Sequence, residues 1–318
     1  LVVGTLAVLL TGLTGCAAPK QEARQPNIVL IFADDLGYGD VSSYGGEVPT
    51  PHIDSIGVNG VRFSSGYVTA PVCSPSRASL LTGRYQQRFG HEFNIEGNWW
   101  QPHEVEQHGL DLGQRTLADM LRQAGYTTGL VGKWHLGMEP AYHPLERGFD
   151  EFFGCMSWGY IFNPPGKPWS PPRRDYTEAE GRQHFQELLG PIYRGTEPVE
   201  VEEYFTDALT REAVDFIHRH RDEPFFLYLS YTAVHVPLEA TQEYLDRFPD
   251  IEPEQRRIYA AMTSALDDGV GAVLAKLREL GLEQDTLVFF ISDNGALISL
   301  SEGESFASNA PLKGGKLT

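Results

Sequence analysis

The chain has 318 residues, with 25 Lys and Arg against 43 Asp and Glu, a formal net charge of −18 and 41% apolar residues. This is the composition of a globular chain, long enough to bury a substantial core in one domain of roughly 200 to 300 residues. It excludes nucleic acid as a partner, because no basic stretch could replace phosphate counterions, and 17 Phe, 14 Tyr and 5 Trp exclude a disordered acidic tail. The acidity therefore belongs to a folded surface, which would repel anionic substrates at long range.

The three cysteines, Cys16, Cys73 and Cys155, cannot build a disulfide framework. Cys16 follows an apolar run, Leu1 to Gly15, that is too short to span a bilayer. Leu13, Thr14, Gly15 and Cys16 resemble the lipobox of a bacterial lipoprotein signal. The expectation is a signal peptide over 1–16, a polar tether over 17–26 and a lipid on Cys16 as the sole membrane contact. A plain secretory signal ending near Ala18 is the alternative. Both readings export the mature protein, the first as a periplasmic or outer-membrane lipoprotein.

From Asn27 to Ala33 the run NIVLIFA has the continuous β-branched character of a strand buried on both faces of a parallel sheet. It ends in Asp34 and Asp35. Pro71 to Arg84 reads PVCSPSRASLLTGR, with Cys73 just ahead of a predicted helix whose first turn tolerates Pro75. Backbone amides and the helix dipole would face an anion there, and Arg77 adds a permanent positive charge. Thr116 to Gly125 predicts a helix with Leu117, Met120, Leu121 and Ala124 inward, followed by the strand YTTGLVG and then Lys133 and His135. Glu203 to His220 predicts a helix with Phe205, Leu209, Ala213, Phe216 and Ile217 on one side. The strand FFLYLSY follows, with His235 just beyond it. A long helix from about Glu254 to Leu280 precedes TLVFFIS, after which come Asp293 and Asn294.

Helix followed by strand, repeated, predicts an α/β fold with a doubly wound, mainly parallel sheet and helices on both faces. Ligands of such sheets bind beyond the carboxyl ends of the strands, so polar groups far apart in sequence would meet on one rim. Asp34, Asp35, Asp293 and Asn294 would bring hard oxygen donors, suited to Ca²⁺ or Mg²⁺ rather than zinc. Singly, an Asp pair after a strand is a solvated turn or a cap, and a His-x-Pro is a turn. Together they predict a metal site. Cys155 to Val201 is rich in Pro and aromatic residues and shows no period. It reads as a surface insertion, either a stiffened loop or a sugar-stacking wall of Trp158, Tyr160, Phe162 and Trp169. His52 and His91 stay open between structural and substrate roles, and Cys155 reads as a buried free thiol.

The segment CSPSR matches the C-x-P-x-R motif of type I sulfatases, in which the cysteine is oxidised to formylglycine. The resemblance runs from NIVLIFADDLGYGD through TPHID, CSPSRASLLTGRY, GLVGKWHLG, HVP and SDNG to PLKGGK, nearly the whole chain after the tether. It implies the alkaline phosphatase superfamily fold and hydrolysis of sulfate monoesters on a sulfated carbohydrate or an aryl sulfate. It also implies one bound Ca²⁺, with Mg²⁺ as the second choice, and a formylglycine-generating maturation enzyme as partner. By this resemblance Asp34, Asp35, Asp293 and Asn294 bind the metal and Cys73 supplies the nucleophile. Arg77 stabilises the formylglycine hydrate, Lys133 and His135 match the KWH pair, His235 lies near the leaving oxygen and Lys316 contacts the sulfate. His135 is expected to act as a base and His235 as an acid. The family continues beyond the equivalent of Thr318 into a C-terminal subdomain, so residues 27–318 are expected to be a truncated N-terminal catalytic domain. Two alternatives remain: a phosphomonoester or phosphonate hydrolase of the same superfamily, and a non-catalytic lipoprotein that binds sulfated glycans.

Overall fold

The computed structural model describes residues 25–95, 109–160, 190–297 and 306–318. Seven strands are β1 (Asn27–Ala33), β2 (Thr127–Gly132), β3 (Glu151–Cys155), β4 (Ile192–Arg194), β5 (Glu197–Val199), β6 (Phe225–Ser230) and β7 (Thr286–Ser292). Their order in the sheet is β5-β4-β3-β2-β6-β1-β7. β1 lies parallel to both β6 and β7, β2 lies parallel to β3 and β6, and β4 runs antiparallel to β3 and β5. This is the mainly parallel α/β sheet that the helix and strand alternation predicts.

Helices cover both faces of the sheet, and period-2 alternation along β1 decides which residue meets which layer. Val29, Ile31 and Ala33 join the larger core with helices α4 (Phe205–Arg219) and α6 (Glu254–Glu279), which the short α5 (Gln242–Leu245) separates in the chain. Leu30 and Phe32 turn the other way, onto Ala78 and Leu81 of α2 (Cys73–Thr82) and Ala118 of α3 (Leu117–Gln123). On α4 the five predicted inward residues, Phe205, Leu209, Ala213, Phe216 and Ile217, are all buried. On α6, Leu266, Val270, Val273 and Leu277 form a buried stripe. Each such side chain contributes roughly 1.5–3 kcal/mol when fully buried.

Two expectations are corrected here. α3 turns Ala118 inward and leaves Met120 and Ala124 exposed. Thr116 caps this short helix in a reciprocal box with Asp119, and its hydroxyl also donates to the Arg147 carbonyl at 2.8 Å. That anchor sets the rotation of the helix against the sheet. The last part of the segment read as an aperiodic insertion is also more regular than its composition predicts, because β4 and β5 extend the sheet from β3. Phe162 and Trp169 lie outside the described residues, as do Cys16, the signal and most of the tether. Among the described residues, no helix is long and apolar enough to cross a membrane. Helix α1 (Pro51–Val58) is capped by Asp267 of α6, whose carboxylate accepts the His52 and Ile53 amides at 3.1 and 2.8 Å. The exposed His52 ring lies against α6, where a Cβ on Gly271 would come within 2.6 Å of it.

Candidate active site

Polar residues from four parallel strands meet beyond the carboxyl edge, stitched together by backbone bonds. Asp34 donates its amide to Ala233 at 3.0 Å and accepts that of Val234 at 2.7 Å, joining the ends of β1 and β6. The Asp293 amide donates to Ala33 at 3.0 Å, and the Lys133 amide to Ser230 at 2.7 Å. The last approach requires Gly132, whose φ is +118° and where a Cβ would lie 1.8 Å from the Ser230 carbonyl oxygen. Asp35 and His135 are held at φ of 60° and 58°, a left-handed conformation costly outside glycine and concentrated at functional sites.

Cys73 is the first residue of α2 and is 1% exposed. One ligating atom from each of Asp34, Asp35, Cys73 and His235 lies within 4.8 Å of the others. Lys316 joins them, with Nζ 2.8 Å from Asp35 Oδ2, 2.9 Å from His235 Nε2 and 3.3 Å from Cys73 Sγ. Lys133 Nζ donates to Asp34 Oδ2 at 2.6 Å. Arg77 lies over the Phe32 ring and donates to Asp293 Oδ2 at 2.9 Å, with Asp34 Oδ2 at 3.6 Å. Asp293 accepts the Asp35 amide at 3.1 Å, and Asn294 Nδ2 donates to Asp35 Oδ1 at 2.6 Å. Nine of the ten predicted site residues are joined by these contacts, and the tenth, His135, is close enough for the charges of Lys133, Arg77 and Lys316 to act on it.

The electrostatics follow from burying three carboxylates among three cations. Burial alone would raise Asp34, yet Lys133, His235 and Arg77 together pull it down to about 2. Asp293 moves the other way, raised by burial and by the neighbouring Asp34 charge. Burial pushes the Cys73 thiol up to about 12, so at neutral pH it is not a thiolate and is a poor nucleophile. His135 is held well below the ordinary imidazole range by burial and then by Lys133 and Arg77. Both of its buried ring nitrogens lack a hydrogen-bond partner among the described residues. His235 is lowered by burial and then by Lys316. Its Nδ1 donates to the Val236 carbonyl at 2.5 Å, leaving Nε2 to accept from Lys316. Burial works against the charge on Lys316, but Asp35 and then Cys73 and Asp34 hold it above the ordinary amine range.

A hard cation fits this donor set. Asp34, Asp35, Asp293 and Asn294 offer oxygen only, and Asn294 Oδ1 is buried with no hydrogen-bond partner among the described residues. An orphaned buried carbonyl beside three carboxylates is what a Ca²⁺ or Mg²⁺ ligand set would contain.

One functional position escapes sequence reasoning, and a second position, left open by it, is now placed. Ser230, fully buried at the end of β6, accepts from Arg77 Nη1 at 2.5 Å and donates to the Lys133 carbonyl at 2.7 Å. It ties the Arg77 fork to the end of β2. Ser230→Ala is therefore expected to lower kcat tenfold or more with KM little changed, as steady-state kinetics would show. An equal loss in kcat and gain in KM would contradict this reading. The only sequence signal is a polar residue closing the apolar run FFLYLS. The second position is His91, fully buried, whose Nε2 lies 2.7 Å from Ser74 Oγ, next to Cys73. It is too deep to be a substrate contact. Burial lowers its pKa from 6.5 to about 4. The unfolded chain therefore binds the proton first, and the contribution of His91 to stability is complete above pH 6.5 and lost as pH falls to about 4. That amounts to roughly 3 kcal/mol at most. Denaturant titrations across this window should show the slope, and His91→Gln should flatten it.

The residues 26–317 match the family model described as Sulfatase. Among curated proteins, N-acetylgalactosamine-6-sulfatase of Mus musculus is 39% identical, over 98% of this chain and 58% of its own length. Arylsulfatase G of the same species is 35% identical, over 87% of this chain and 52% of its own length. The solved structure of Ps i-CgsB in complex with k-i-k-neocarrahexaose superposes with a TM-score of 0.79 at 38% identity, covering 92% of this chain and 62% of that one. PsFucS1 sulfatase from Pseudoalteromonas sp. gives 0.68 at 31% identity, over 86% of this chain and 56% of that one. The chain belongs to the sulfatase family, with the α/β fold of the alkaline phosphatase superfamily, and spans little more than half the length of these curated relatives.

Proposed function

We propose that this protein hydrolyses sulfate monoesters on sulfated carbohydrates, with formylglycine made from Cys73 by a maturation enzyme and one Ca²⁺. The observation that carries the reading is the placing of Cys73 at a helix N-terminus within reach of Asp34, Lys316 and His235. Family membership supports the reaction class, and the names of the relatives support a carbohydrate substrate. Hydrated formylglycine would supply two geminal hydroxyls, one to attack sulfur and one to expel sulfate. Ca²⁺, held by Asp34, Asp35, Asp293 and Asn294, would lower the cost of negative charge on attacking and sulfate oxygens.

The remaining work falls to the side chains. Lys133, Arg77 and Lys316 are fixed positive charge around the transferring group, preorganised by buried partners. Neutral His135, with both nitrogens unengaged by the described residues, is suited to accept a proton from the nucleophilic side chain. The leaving alkoxide is strongly basic and needs a donor. Here the acid is the Lys316 and His235 pair, with the proton resting on Lys316 Nζ, 2.9 Å from His235 Nε2. Export, with a lipid on Cys16, is part of the same proposal and rests on the lipobox-like LTGC.

Peptide mass spectrometry across Cys73 after co-expression with a maturation enzyme, paired with turnover of an aryl sulfate in Ca²⁺, is the test. The expected result is an aldehyde at Cys73 and hydrolysis. Turnover by an unmodified thiol would remove formylglycine from the mechanism. A confirmed aldehyde with no turnover would remove the hydrolase reading.

A further inference from the structure

Lys316 reaches the site from residues 306–318, a segment held by bonds along its length. Asp40, fully buried, accepts the Ser308 amide at 2.8 Å, and Arg256 of α6 donates both to Asp40 Oδ1 at 2.6 Å and to the Phe306 carbonyl at 3.1 Å. The Gly39 amide donates to the Ser308 carbonyl at 2.9 Å, and the Leu317 amide to the Pro71 carbonyl at 3.0 Å. Between these two ends, Asn309 is bound to the loop after β7. Its Oδ1 accepts the Ala296 amide at 2.8 Å, and its Nδ2 donates to the Ala296 carbonyl at 3.1 Å. The Lys316 amide donates to the same carbonyl, also at 3.1 Å. Ala296 is fully buried and Asn309 is 7% exposed. The approach depends on Gly295, where a Cβ would lie 3.0 Å from Asn309 Oδ1 and 3.2 Å from Gly315 Cα.

A side-chain amide that pairs with both backbone groups of one residue does the work of a neighbouring strand, but a single substitution removes both bonds. Ala296 stands two residues past Asn294, so Asn309 joins the loop that carries Asp293 and Asn294 to the segment that carries Lys316. We propose that Asn309 is a positioning residue, which holds Lys316 Nζ against Asp35 and His235 by locking residues 306–318 onto Ala296. It acts through Lys316 and not on the substrate. That Lys316 in turn contacts the transferred sulfate rests on the reading above.

The test is timed acetylation of the lysines by acetic anhydride, read residue by residue with peptide mass spectrometry. Exposed Lys313 calibrates the reagent, and fully buried Lys133 reports any collapse of the site. Asn309→Ala is expected to raise the rate at Lys316 about tenfold and to leave Lys313 and Lys133 unchanged. Asn309→Asp keeps the acceptor for the Ala296 amide and loses the donor, so its rise should be smaller, about threefold. It carries the test if the alanine variant does not fold. An unchanged Lys316 would overturn the proposal, as would Lys316 and Lys133 rising together, the mark of a purely structural residue. Turnover of an aryl sulfate by the matured Asn309→Ala protein then tests the two ideas apart. A kcat about tenfold lower supports both, whereas a freed Lys316 at full kcat would take Lys316 out of catalysis and leave its positioning by Asn309 standing.

Discussion

Replacing Cys73 by serine should abolish steady-state turnover, lowering kcat by at least about a thousandfold relative to the matured protein. Serine keeps one hydroxyl at the N-terminus of α2, beside Asp34 and Lys316, and so retains a group able to attack sulfur. It lacks the second hydroxyl that would expel the sulfate. Its sulfated form can be released only by a separate attack of water on sulfur. The expected signature is a burst of at most one equivalent of alcohol product, followed by a stall and a sulfate-sized mass increase on the Cys73 peptide. A variant that turned over at an ordinary rate would show that a single hydroxyl suffices and that no aldehyde chemistry is needed.

Asp34→Asn should damage the protein in a different currency. Asp34 is fully buried, bonded to Lys133 and close to Arg77. Neutralising it keeps the shape but leaves two buried cations short of a counter-charge. Breaking a buried pair in this way costs about 3–5 kcal/mol, because the stranded charge keeps its desolvation penalty. Urea unfolding of the wild type and variant at pH 7 measures the loss directly. The pH dependence gives the sign independently. The folded-state pKa of Asp34 is about 2, below the ordinary 3.8, so its contribution is complete above pH 3.8 and is lost as pH falls towards 2. The variant should lack that part of the acid slope, and should bind Ca²⁺ more weakly because one of four proposed ligands has lost its charge. Equal stability of the two proteins at pH 7 would mean that Lys133 and Arg77 find compensation elsewhere.

Much of this was readable before any coordinates, for identifiable reasons. β1 and β7 can be bounded to the residue from the sequence because each is an apolar β-branched run closed by acidic or polar residues, Asp34 and Asp35 in one case and Asp293 and Asn294 in the other. Asp34, Asp35, Lys133, His135, His235, Asp293 and Asn294 are legible because they follow strands, where a parallel sheet must place them together, whereas Cys73, Arg77 and Lys316 are legible through the resemblance of CSPSR and PLKGGK to sulfatase motifs. Strands β4 and β5 are not legible. Each has three residues, too few for a period to show, and each exists only by pairing with its neighbour. Nor is Ser230, which belongs to no motif and acts on Arg77, 153 positions away in the chain. The lowering of His235 by burial and by Lys316, 81 positions away, likewise leaves no mark in the local sequence.

Gly132 bears on how sequence variants of this protein should be interpreted. Its missing side chain lets β2 touch β6, and Gly154 on β3 would in turn drive a Cβ to within 1.9 Å of the Gly132 carbonyl oxygen. The two glycines thus set the spacing of three adjacent strands immediately before Lys133 and His135. An alanine at Gly132 would remove no functional group, yet would push apart the strand ends from which Lys133 and Ser230 reach Arg77. A change that counts as mild by residue size would present as the loss of an active-site residue. Severity at this rim is therefore better ranked by the space a backbone has to move into than by the chemistry of the residue replaced.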